Sequence, residues 1–149
     1  MGLIQVLLAL LIPAIAPVAG YVIGKFTKEE LNAGKKYFVA MQNVLFVAVA
    51  AIFLYSGRWN LWVMIPGLAV LFAYLVFKKF RNPFIMEAIF GIIFSFAVRT
   101  SYLFILSALI FLYGLPTGSL FARQKKGLWK AVGAGLLFAV VAYGISYFL

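Results

Sequence analysis

Thirteen Lys and Arg residues fall in an alternating pattern that restricts this chain to very few architectures. Six apolar stretches are separated by five short polar breaks. Breaks one, three and five hold Lys25, Lys28, Lys35 and Lys36; Lys78, Lys79 and Arg81; and Arg123, Lys125, Lys126 and Lys130. Breaks two and four hold only Arg58 and Arg99. Such one-sided crowding is what the positive-inside rule produces in a polytopic membrane protein. The chain is therefore read as an all-α integral membrane protein, a six-transmembrane-helix bundle forming a single domain. Both termini are expected outside and the basic loops in the cytoplasm, with the cell membrane as the natural location.

Composition agrees. A chain that is 66% hydrophobic, with mean hydropathy +1.12, has too little polar surface to cover a soluble globule. A net charge of +10 would suggest nucleic acid in a soluble protein. In juxtamembrane loops the same charge suits anionic lipid headgroups, and no nucleic-acid partner is expected.

The expected spans are 2–24, 37–56, 61–77, 84–98, 101–122 and 128–149. Most can cross a hydrocarbon core of roughly 30 Å, but the fourth would be only about 22 Å long. Residues 84–122 are too long for one crossing, so the chain is expected to turn at Arg99-Thr100-Ser101. A re-entrant pair is the alternative. The first span has no basic residues before it, unlike a cleaved signal, and is expected to remain as a helix. In break one, Thr27 and Glu30 match a capping box, and Gly34 is placed to end a short interfacial helix.

Chemistry is limited by what is absent. The chain has no His, Cys or Asp, and its acids are Glu29, Glu30 and Glu87. Metal and haem ligation lack their usual ligands, and Ser-His-Asp or Cys-His systems cannot be assembled. No enzyme activity, cofactor or metal is expected.

Glu87 is the one acid inside a span. An intramembrane carboxylate marks a functional candidate, because its charge is costly in lipid. An ion pair with Lys78, Lys79 or Arg81 is the preferred reading, and a proton or cation site the other. Gln42, Asn43, Thr117 and Ser119 lie at a similar depth, and with Glu87 and Tyr21 they would make a polar vestibule open to the basic side. Ordinary polar helix ends near an interface are the slightly preferred reading. Arg99 is the corresponding candidate at the opposite end. Pro13 and Pro17 free the carbonyls of Ala9 and Pro13 near the middle of the first span, either as a plain kink, the preferred reading, or as a broken helix lining a transport site.

Two sequence patterns bear on architecture. Residues 45–55 and 103–113 are identical at seven of eleven positions, and Leu61-Trp62 and Leu128-Trp129 open corresponding spans. This suggests an inverted three-plus-three repeat, against the simpler reading of coincidence within a narrow alphabet. Ala16, Gly20 and Gly24, and likewise Ala131, Gly135 and Ala139, form small-residue stripes suited to close helix packing. The first and sixth spans are expected to use them on each other or on a second subunit. Leu115-Pro116-Thr117-Gly118 spells a sortase-type motif, but within an apolar span it is read as coincidence.

Three functions fit these residues: a small transporter or channel for a small or apolar solute, a non-catalytic structural, assembly or regulatory subunit of a membrane complex, or a lipid-binding or flipping protein. A homo-oligomer or a membrane-protein partner would suit any of them.

Overall fold

The computed structural model describes residues 3–27, 30–57 and 82–148. They form five helices: α1 Leu3–Phe26, α2 Glu30–Ser56, α3 Pro83–Ala97, α4 Leu103–Phe121 and α5 Gly127–Phe148. Four of these are long and apolar enough to cross a membrane, α3 being the short one, and no strand occurs among the described residues. The expected span 61–77 lies outside them, as do Lys28, Glu29, Arg58, Lys78, Lys79 and Arg81.

The boundaries follow local chemistry. Asn82 caps α3 by accepting a hydrogen bond from the Phe84 amide at 3.1 Å, and Pro83 occupies the first turn, where its missing N–H costs little. The turn at Arg99–Ser101 is present. Thr100 fastens it: its amide and hydroxyl both donate to the Ala97 carbonyl, at 2.8 and 3.0 Å. The expected interfacial helix needs correction, because the helix from Glu30 runs on without a break to Ser56. Gly34 lies inside it with no left-handed backbone. Thr27 caps the preceding helix instead, its hydroxyl donating to the Ile23 carbonyl at 3.1 Å.

Packing starts from α1 and α4, which run parallel in the most extensive contact of the bundle. A Cβ at Gly20 would run into the Leu115 carbonyl, and one at Gly118 into that of Pro17. Small residues on both helices thus bring the backbones into contact, where dispersion holds helices together in lipid. The stripe expected to join the first and last helices therefore serves α4. The stripe of α5 does reach α1, with Gly135 against the Ala14 carbonyl, while α5 also lies parallel to α3. There Gly91 meets Val141 and the Phe138 backbone, and the Ser95 hydroxyl lies between the Gly91 carbonyl at 2.7 Å and the Ala142 carbonyl at 3.0 Å. Antiparallel α2 covers another face of α4, with Gln42 beside Thr117 and Tyr55 beside Tyr102. Phe90 and Phe94 of α3 fill the middle of the bundle. Phe90 stands edge-on to Tyr113 with ring centroids 4.6 Å apart, and Phe94 is edge-on to Phe138.

The similarity of residues 45–55 to 103–113 does not extend to environment. Phe46 is 5% exposed and its counterpart Phe104 is 50%; Tyr55 is 60% exposed and Tyr113 is 6%. The two stretches bury different faces, which gives an inverted repeat no support. One end of the bundle gathers Lys25, Lys35, Lys36, Arg123, Lys125 and Lys126, since the ends of α1, α2, α4 and α5 that carry them meet there. Arg99 lies at the other.

Candidate functional site

At the basic end a cavity of about 130 Å³ opens between α2, α3 and α4. Gln42, Asn43 and Phe46 of α2 form one wall, and Pro83 and Met86 of α3 another. Tyr113, Thr117, Leu120 and Phe121 of α4 make the floor, with Gln124 at the rim. Gln42 is only 9% exposed, and its side-chain amide donates to the Thr117 hydroxyl at 2.7 Å. That hydroxyl donates in turn to the Tyr113 carbonyl at 3.0 Å. A hydroxyl has one proton to give, so the order of donors along this chain is set. The Gln42 carbonyl oxygen is not used by it. At the rim, Lys130 donates to the Gln124 carbonyl oxygen at 2.6 Å and holds that amide in place.

Three of the expected vestibule residues, Gln42, Asn43 and Thr117, are thus brought together, and the others are not. Ser119 is two residues beyond Thr117, which places it on nearly the opposite face of the helix. Its hydroxyl lies against the Gly20 carbonyl of α1 at 2.9 Å and the Leu115 carbonyl at 3.0 Å. Tyr21 packs beside the Phe121, Ala131 and Ala134 cluster, with the Lys25 ammonium 5.8 Å from its ring centre. Glu87 follows Met86 but points about 100° away around α3. Gly91 and Ser95, one and two turns further along that face, both meet α5.

Glu87 is 1% exposed, and its Oε1 has no hydrogen-bond partner among the described residues. A carboxyl group in an apolar interior calls for a proton, a cation or a hydrogen-bond donor. Lys78, Lys79 and Arg81, its expected partners, lie outside the described residues. No group of three or more His, Cys, Asp or Glu side chains that could hold a metal ion occurs among those described.

Pro13 is fully buried beside α4, and the Ala9 carbonyl it displaces accepts a hydrogen bond from Ser107. That carbonyl is therefore occupied by a neighbouring helix. Arg99 is exposed at the α3–α4 turn, remote from the cavity. Pro116, Thr117 and Gly118 of the sortase-like motif are buried inside α4.

Sequence reasoning missed Ser107, Ser95, Met86 and Tyr113. The two serines had a usable signal: each is a lone hydroxyl in an apolar stretch, where it needs an acceptor. Met86 and Tyr113 carried none, because their role depends on which helix faces which. No protein-family model, characterised protein or solved structure matches the chain. Its all-helical fold and its four long apolar helices fit a helical membrane protein.

Proposed function

We propose that the protein is a non-enzymatic, transporter-like membrane protein for a small or apolar solute, with Glu87 as its proton-coupling group. The observation that carries this reading is the Glu87 carboxyl group, enclosed in the bundle with Oε1 unpartnered among the described residues. Natural proteins seldom retain such a group without a use for it, because burying it opposes folding. The cavity at the basic end supplies a place for solute to enter. The architecture proposed is six crossings with the basic end cytoplasmic. Its support is directional: α2 and α3 both run from the basic end to the other, as six alternating spans would have them do. Anionic headgroups are the proposed partners of the exposed lysines at that end.

Proteoliposomes loaded with a pH-sensitive dye test the reading. Inward gradients of urea, acetamide or glycerol should change internal pH in vesicles holding the protein. Glu87→Gln should abolish that change while leaving the protein folded. Behaviour indistinguishable from empty vesicles, or pH coupling retained by E87Q, rejects the mechanism.

A second reading, a non-catalytic subunit of a larger membrane complex, is supported by the closely packed α1–α4 seam, which leaves no room for a path between those helices. Extraction in mild detergent distinguishes it, since a subunit is recovered with a stoichiometric partner.

A further inference from the structure

We infer that the cavity joining Gln42 and Asn43 of α2 to Thr117 and Tyr113 of α4 is a binding site for a small uncharged molecule carrying both hydrogen-bond donors and acceptors, of the amide, urea or short polyol class. The inference rests on the transporter-like reading for the purpose of the site, and on the cavity alone for its chemistry.

Size sets the first limit. About 130 Å³ corresponds to roughly four waters at their share of liquid volume, enough for a molecule of a few non-hydrogen atoms. Charge sets the second. Among the described residues none that lines the cavity is charged, so an ion entering it would lose hydration without gaining a counter-ion. Cations are further opposed by the lysines around that end. Anions attracted by those lysines find no ammonium among the described residues that line the cavity.

The polar groups that remain define the ligand. Thr117 gives its proton to the Tyr113 carbonyl and receives one from Gln42, which leaves the Gln42 carbonyl oxygen to accept from a ligand. Gln124, its own oxygen held by Lys130, has its amide N–H groups to donate. Asn43 presents both kinds of group. A ligand that only accepts would leave the buried Gln42 oxygen unpaired, which is costly, and one that only donates would make no use of the Asn43 and Gln124 amide N–H groups. Phe46 and Tyr113 supply an apolar wall, which suits a small molecule with one hydrocarbon edge or a flat amide plane.

The chain lacks cysteine, so a single introduced thiol reports on one place. Leu120→Cys places it in the cavity without removing a ligand-bonding group, and Lys125→Cys serves as an exposed reference. The purified protein is treated with three methanethiosulfonates: the uncharged methyl reagent, a trimethylammonium form and a sulfonate form. Relative to Lys125→Cys, Leu120→Cys should favour the uncharged reagent over both charged ones by at least about tenfold. Acetamide, urea or glycerol should slow its modification several-fold and leave Lys125→Cys unaffected. Met86→Cys, on the α3 wall, should show the same protection and covers the case in which Leu120→Cys does not fold. Equal reaction with charged and uncharged reagents would show a plain water-filled vestibule. Lack of protection, or lack of any reaction at both cavity thiols, would equally overturn the site. None of these readouts requires transport, so the site can stand or fall independently of Glu87.

Discussion

The hydroxyl of Ser107 donates to the Ala9 carbonyl, which Pro13 leaves without its helical partner. A defect in α1 is thereby repaired from α4, and repair ties the two helices at a fixed register. Ser119 and Ser95 also reach carbonyls of neighbouring helices, Gly20 and Ala142, where no proline intervenes.

Removing the repair should be measurable. Ser107→Ala is expected to destabilise the bundle by about 1–2 kcal/mol, near the upper end for interhelical hydrogen bonds in membranes. In a Pro13→Ala background the Ala9 carbonyl regains an intrahelical donor, and the same substitution should cost less. Reversible unfolding in mixed detergent, run as a double-mutant cycle, reads the difference. Equal costs in both backgrounds would refute the coupling.

The α1–α4 seam should tolerate no added methyl. Gly118→Ala brings a Cβ against the Pro17 carbonyl and is expected to lower stability by at least about 1–3 kcal/mol, since backbone on both sides must move. Gly144→Ala has open space around it and should be neutral or slightly stabilising, as Ala favours helix by about 1 kcal/mol. Thermal melting of the two variants in one detergent provides the comparison.

Glu87 should trade stability against function. Glu87→Met replaces an acid with an unpartnered buried oxygen by an apolar side chain of similar length. Its melting temperature is expected to rise, because an unsatisfied buried polar atom costs about 1–3 kcal/mol, while coupled transport is lost. A marked fall in stability would instead indicate a partner for the carboxylate.

Orientation can be read with single cysteines in sealed vesicles. Lys36→Cys and Lys125→Cys should react with an impermeant maleimide from the same side, and Arg99→Cys only from the other. Labelling of all three from one side would overturn the proposed topology.

Fold class was legible in the sequence because hydrophobicity and basic charge act locally: each stretch is apolar whatever its neighbours do. The turn at Arg99 followed from length alone, whereas its fastening by Thr100 is seen only in the structure. The candidate site was legible only in part. Gln42, Asn43 and Thr117 meet, but Ser119 and Glu87, at similar depth along their helices, face elsewhere. Depth along a helix can be counted from the loops, whereas rotation about its axis is settled by its neighbours. With nearly every face of every helix apolar, the usual polar-against-apolar contrast gave little indication of that rotation.

The alternating lysines and arginines by themselves determined a helical membrane protein with one basic end, because their cost in lipid confines them to loops. Tertiary structure alone decided which helices touch. Gly20 and Gly118 chose α4 as the partner of α1, since only small residues on both sides let backbones meet. That choice turned Ser119 toward α1 and left Gln42 and Thr117 around a cavity.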